Sequence, residues 1–386
     1  MDLIALKMLV GDRAKYIGII MGLTFASLLI TQQAAIFLGL MTRTFGAISD
    51  TSQPDVWVMD PKVQFIDDVK PLQDTKLLKV RGIEGVKWAM PLYKGLLKAR
   101  LDNGAFQTCN VFGIDDATMI GGPAVMVEGR LEDLRRADGV IVDESATRGK
   151  LAKVLPDGTR VPLKIGDTLE LNDKRAVVVG ICQVSKTFQS QPVIYTTYSR
   201  AINFAPRERK LMSFILVGAN KSVTPEELAS RIEARTGLNA ETGHEFKLTT
   251  FWYFMKNTGI PINFGTTVIL GFVVGTAIAG QTFYNFTLDN IKQFGALKAM
   301  GANNLVLLRM ILLQAMVVGL IGYGLGVGLA SFFGYMGTRP GSELAFYMPW
   351  QLLVLTAGAV TLITLLSALL SIRKVMVLEP AIVFKG

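Results

Sequence analysis

The chain has 386 residues, half of them apolar and only 18% charged, with a formal net charge of +9. A composition this apolar excludes a soluble enzyme, a secreted disulfide scaffold and a disordered chain. The Lys and Arg residues are scattered, with no aromatic-interleaved basic stripe and no zinc-finger or helix-turn-helix pattern, so nucleic acid is excluded as a partner despite the charge.

Uncharged runs at 16–42, 257–288, 310–338 and 344–372 are each long enough to cross roughly 30 Å of hydrocarbon at about 1.5 Å per helical residue. Residues 1–15 read as a cytoplasmic amphipathic segment carrying Lys7, Arg13 and Lys15. The first span, 16–42, is too long for a signal core of about 7–15 residues and reads as a retained anchor.

Residues 43–256 read as a large mixed α/β domain inserted between the first and second spans. Short strands are predicted at 56–59, 140–143, 168–171, 176–183, 193–196 and 214–217, with turns at Pro156-Asp157-Gly158 and Asn172-Asp173. Residues 72–81 have helical spacing. Segments 85–101 and 107–113 form a hairpin around Asp102-Asn103-Gly104. Thr224 caps a helix over 225–236 that starts with Pro225 and places Leu228 and Ile232 on one face. Two lobes are expected: an outer lobe of 43–127 plus 213–256, and an inserted small β-rich lobe, 128–212. Cys109 and Cys182 fall in different lobes, either bridged or as buried free thiols. His244 is the chain's only histidine and sits in a polar turn, which leaves a Ser or Cys nucleophile without its usual base. No zinc-ligand cluster and no Gly-x-x-x-x-Gly-Lys-Ser/Thr loop occurs, so this chain is expected to need no cofactor and to leave ATP and Mg to a partner.

The second span, 257–288, leads into a link at 289–304, followed by a third span at 305–334, a loop at 335–348, a fourth span at 349–372 and a tail at 373–386. Lys292, Lys298 and Arg309 near the link, Arg373, Lys374 and Lys385 in the tail, and the three basic residues before the first span place both termini in the cytoplasm. The opposite short loop has only Arg339. The long domain then lies outside or in a periplasm, with Tyr335, Tyr347 and Trp350 as an outer aromatic belt. Small residues four apart, Gly18/Gly22, Gly271/Gly275 and Gly322/Gly326 overlapping Gly324/Gly328, allow close backbone approach within one subunit or across a dimer seam. No span carries a buried acid, base or histidine for a proton relay. Gln32, Gln33, Gln281 and Gln314 are the strongest polar groups there, suited to interhelical hydrogen bonds or, less simply, a substrate path.

The link reads as a short amphipathic helix ending at Gly301, with Phe294, Leu297 and Met300 as apolar projections beside Lys292 and Lys298. It is either an interfacial turn or a knob for a cytosolic partner. Its run Lys292-Gln293-Phe294-Gly295-Ala296-Leu297-Lys298-Ala299-Met300-Gly301-Ala302 resembles the link of FtsX-like, MacB-type ABC transporter permeases, usually basic-x-x-Glu-Ile/Phe-Gly-x-Leu-Arg/Lys-Ala-x-Gly-Ala. The outer run Ile165-Gly166-Asp167-Thr168 through Val177-Val178-Val179-Gly180-Ile181 is similar to that family's periplasmic core, and Leu378-Glu379-Pro380-Ala381 to its tail. Residues 258–265, Thr-Gly-Ile-Pro-Ile-Asn-Phe-Gly, resemble DevC, the permease branch of the cyanobacterial heterocyst glycolipid exporter. Gln293 replaces the usual link Glu, and Gln314 stands where an acid often begins the third span.

The resemblance implies an α-helical membrane protein with four transmembrane helices, one plus three, in a bacterial inner membrane. It implies a non-catalytic permease subunit that pairs with a second copy of itself, docks on a MacB/DevA-like ATP-binding subunit, and works with a periplasmic membrane-fusion adaptor and a TolC-like outer-membrane channel. Lys292, Gln293, Phe294, Gly295, Leu297, Lys298 and Met300 would carry the ATPase coupling, and the outer domains would expel an amphiphilic cargo by mechanical transmission. Related alternatives are an FtsX-like transmitter that activates a wall hydrolase and a lipoprotein-releasing permease.

Overall fold

A computed structural model describes residues 2–51, 53–155, 158–206, 211–339 and 342–376. The turn at Pro156-Asp157, the stretch 378–381 and Lys385 lie outside the described residues. In chain order the elements begin with α1 (Asp2–Gly11), α2 (Arg13–Thr44), α3 (Gly46–Asp50), β1 (Val56–Met59), α4 (Asp74–Arg81), β2 (Val86–Arg100), β3 (Phe106–Ile114) and β4 (Val125–Glu128). Next come β5 (Gly139–Asp143), α5 (Glu144–Arg148), β6 (Lys153–Val154), β7 (Arg160–Val161), β8 (Thr168–Leu171), β9 (Lys174–Gln183), β10 (Val193–Thr197) and α6 (Tyr198–Phe204). The chain then runs through β11 (Phe214–Ala219), α7 (Pro225–Thr236), β12 (Asn239–Thr242), α8 (Gly243–Asn257), α9 (Ile260–Asp289), α10 (Ile291–Ala299), α11 (Asn304–Gly337) and α12 (Trp350–Met376). Two compact units result: Met1–Gly39 with Gly259–Gly386, and Leu40–Thr258.

In the α/β unit, β12, β1, β11 and the first half of β2 form an antiparallel sheet buried on both faces. Val56, Val58, Ile215 and Val217 pack with Leu77 and Val80 of α4 and Leu228 and Ile232 of α7. Their alternates Trp57, Met59, Phe214 and Leu216 pack with Phe246 of α8. Double burial is why these strands read as unbroken apolar runs instead of alternating ones. Thr224 Oγ1 accepts from the Glu227 N–H at 3.3 Å, and Gly237 closes α7 at φ +67°.

The second half of β2 pairs with β3, and β3 leads to β10, β5 and β9. β8 then pairs with both β9 and the end of β2, so six strands close a ring. Its filling includes Leu97, Val111, Val142, Leu171, Val178 and Ile194. Closure protects the strand edges. The expected boundary at 128 is therefore corrected: β3 and the end of β2 belong with the β-rich part, because a single 15-residue strand serves both sheets. Asn172 and Asp173, both at positive φ (49° and 63°), make the tight turn from β8 to β9.

Cys109 of β3 lies in the ring's filling and Cys182 of β9 in the other core; both are buried free thiols. Burial pushes the Cys109 thiol up to about 12 and raises that of Cys182 as well, with Asp143 and Asp50 adding to the latter. His244 is not in a loop. It is exposed on the first turn of α8, whose capping box joins Thr242 and Glu245.

In the helical unit, α2, α9, α11 and α12 are long and apolar enough to cross a membrane. The second begins at Ile260, three residues later than its uncharged run, because α8 continues through Asn257. Helix α12 packs on α9 and α11, and α1 packs on α11.

Candidate functional site

Helix α10 is built by its ends. Asn290 closes α9 and opens α10, its amide donating to the Phe286 carbonyl at 2.8 Å while its own carbonyl accepts from the Phe294 N–H at 3.1 Å. At the far end Gly301 adopts φ +96°, which lets the Ala302 N–H reach the Leu297 carbonyl at 3.0 Å. Asn303 then caps α11 by accepting from the Val306 N–H at 2.9 Å.

The expectation that Phe294 and Leu297 project outward is corrected. Phe294 is 0% exposed and Leu297 6%, and both join a core with Ala5 and Leu9 of α1, Phe286 of α9, and Leu307 and Met310 of α11. Gly295 is buried as well. Amphipathic spacing shows that a helix has an apolar stripe; it does not say whether the chain's own elements or a partner cover it. Here α1 covers it. Gln314, fully buried, donates through Nε2 to the Ala5 carbonyl at 2.7 Å. Lys15, at the start of α2, pairs with Asp12 at 3.0 Å and with Asp289, the last residue of α9. The Lys15 hydrogen bond holds the Asp12 carboxyl below its ordinary range, against a smaller upward push from burial.

The opposite side of α10 is open. Lys292, Gln293, Ala296, Ala299 and Met300 are exposed, Met300 by 75%. Gln293 also lines a groove of about 540 Å³ with Ile4, Lys7, Met8 and Asp289, and Leu3, Ile4 and Val10 of α1 are exposed. The sequence reading missed both α1's share of this surface and Ala296. The readable signal was the helical repeat of Ala5 and Leu9, which commits one side of α1 to the core and leaves Leu3, Lys7 and Val10 on the other. Among the described residues this surface holds no nucleophile paired with a base. It consists of small and flexible apolar groups bordered by Lys292 and Lys7.

The three glycine pairs all pack inside the subunit. A Cβ at Gly22 would lie 2.7 Å from Ile278, one at Gly322 2.6 Å from Leu23, and one at Gly326 2.7 Å from the Thr24 carbonyl. Gly18 faces Thr282, Gly271 faces Leu29 and Gly275 faces Ala26. By contrast, Gly324 and Gly328 meet nothing within 4 Å. Of the amides, Gln281 is 3.5 Å from Asn285 of its own helix, and Gln32 and Gln33 are half-buried in α2. Among the described residues no three His, Cys, Asp or Glu side chains converge on a metal position.

Residues 17–235 match the MacB-like periplasmic core domain, and residues 250–380 match the FtsX-like permease C-terminal domain. The chain belongs to the MacB/FtsX-like permease family. The first match covers more than half of the chain, and the second contains α9 to α12 with the link between them. Uncharacterized ABC transporter permeases of Mycobacterium tuberculosis and Mycobacterium bovis are 24% identical over 225 residues, which is 58% of this chain and 58% of theirs. The extracellular domain of the noncanonic ABC-type transporter YknZ from Gram-positive bacteria is similar at 12% identity and TM-score 0.34, over 50% of this chain and all of that one. The periplasmic region of MacB from Actinobacillus actinomycetemcomitans is similar at 18% identity and TM-score 0.37, over 53% and 94%.

Proposed function

We propose that this family member is the permease subunit of a tripartite ABC exporter that moves amphiphilic cargo, of the DevC type. The observation that carries the reading is α10: one face is anchored in the helical unit by Phe294 and Leu297, and the other presents Gln293, Ala296 and Met300. A helix so anchored passes force at its exposed face to α9 and α11, which it joins. The ATP-binding subunit supplies hydrolysis and Mg, and this chain is the non-catalytic transmitter. Both termini are cytoplasmic, the α/β unit is periplasmic and meets a membrane-fusion adaptor, and a TolC-like channel completes the path. A second copy packs on the Gly324/Gly328 face of α11, where a Cβ would meet nothing within 4 Å among the described residues.

Co-expression of the full chain with its ATP-binding subunit tests this. The wild type is expected to co-purify with the subunit, whereas Ala296→Arg combined with Met300→Glu inserts and folds but loses it. Retention of the ATP-binding subunit by that double variant would remove the coupling role.

A further inference from the structure

The α/β unit contains a cleft of about 710 Å³, within the range that small-molecule sites occupy. One wall is aromatic: Phe65 stacks on Tyr253 with ring centroids 4.3 Å apart, and Phe254 lies against Phe65 at 5.4 Å and Phe188 at 4.9 Å. Lys94 of β2 also lines the cleft, and its side chain is only 3% exposed. Its ammonium pairs with Asp67 and sits 5.6 Å from the centre of the Phe112 ring. An ammonium has three N–H donors, and among the described residues Asp67 is the only acceptor, so two donors remain for whatever enters the cleft. Burying the Lys94 ammonium costs desolvation that a partner 41% exposed, as Asp67 is, offsets only in part, which makes binding the better account of a lysine held here.

We propose that this cleft binds a neutral amphiphile, its hydroxyl or ester oxygens accepting from Lys94 and its acyl chain lying along Phe65, Phe188 and Tyr253. The charges decide the head group. Asp67 already balances Lys94, and Asp68, which also lines the cleft, is held by Lys70 at 2.6 Å. A bare anion would face two carboxylates, and a cation would face the buried ammonium. Acceptor oxygens without net charge satisfy the donors and disturb neither pair.

This inference names the cargo class of the proposed exporter and rests on that reading. Its test needs no ATPase, so the two fail separately. The full chain in phosphatidylcholine nanodiscs is photolabelled with a monoacylglycerol bearing a diazirine in its acyl chain, in parallel with the matching fatty acid and acyl-trimethylammonium. Saturable adducts are expected on the peptides carrying Phe65, Phe188 or Tyr253, with the monoacylglycerol preferred. Lys94→Met should weaken apparent affinity roughly tenfold or more. Leu96→Trp, at a lining position 49% exposed, should block labelling while leaving the folding of the unit unchanged, so the result does not depend on the Lys94–Asp67 pair. Adducts confined to the apolar helices, equal or better labelling by either charged probe, or wild-type labelling of Leu96→Trp would each overturn the proposal. Loss of ATPase co-purification with intact cleft labelling would instead remove the exporter reading on which the cargo role rests.

Discussion

Replacing Phe294 with alanine separates a helix anchored in its own protein from one that projects into a partner. The ring is 0% exposed and lies in the core that joins α1, α9, α10 and α11. Deleting a buried phenyl group costs about 3–5 kcal/mol through lost transfer free energy and the cavity left behind. Gly295 beside it contributes no side chain that could fill the space. Met300, six residues further on and 75% exposed, should change stability by no more than about 0.5 kcal/mol when replaced by alanine. For a unit of this size the Phe294→Ala loss corresponds to a fall in unfolding temperature on the order of 10 °C. Thermal unfolding of the full chain in nanodiscs, followed by protease sensitivity of α9 to α11, reads it directly. A Phe294→Ala variant as stable as the wild type, yet deficient in ATPase docking, would refute the burial argument and restore the outward-facing phenylalanine.

The remaining predictions concern packing and titration. Gly326→Leu should prevent correct helix packing, since even a Cβ would meet Thr24, whereas Gly324→Leu should insert normally and weaken only dimer cross-linking; equal effects of the two would remove the distinction. With its pKa near 12, Cys109 should be about one part in ten thousand thiolate at pH 8, so native protein should resist iodoacetamide until it is unfolded; rapid native labelling on that residue would contradict its burial. Burial alone would push the Asp167 carboxyl up, but hydrogen bonds from Lys153 Nζ at 2.6 Å and the Lys164 N–H at 2.8 Å outweigh it and leave its pKa lowered. A lowered folded value gives stability that is present above the unfolded carboxylate pKa and lost as pH falls through the folded one. Asp167→Asn should therefore be less stable than wild type at neutral pH, with the gap closing in acid, and a pH-independent gap would show that charge is not the cause.

The parts of this fold that local chemistry determines were legible. The hairpin turn at Asp102-Asn103-Gly104, the Thr224 cap with Pro225, and the four apolar helices depend on short-range signals, and each appears near its expected position. What could not be read was which surfaces meet. A strand pattern in β2 does not reveal that its two halves serve different sheets, because the alternation of side chains is the same in both. Phe294 and Leu297 have the same spacing whether the chain's own helices or a partner cover them, and only their burial in one core with residues of α1, α9 and α11 settles that its own helices do. The start of helix α8 has a local signal as well: Thr242-Gly243-His244-Glu245 carries the Thr-x-x-Glu spacing of a capping box. The glycine pairs declared close contact but not its partner, and the facing residues, Ile278 and Leu23 among them, belong to the same subunit.

The central claim is that the exposed face of α10 receives the ATP-binding subunit, and a photo-crosslinking residue placed at Met300 tests it most directly. The position is exposed, so the substitution leaves the core around Phe294 intact. Irradiation of native membranes followed by mass spectrometry is predicted to yield an adduct with a protein carrying a Gly-x-x-x-x-Gly-Lys-Ser/Thr phosphate loop, lost when Ala296→Arg is added. Adducts with lipid alone, from a chain that is folded and inserted, would contradict the account and reduce α10 to an interfacial turn.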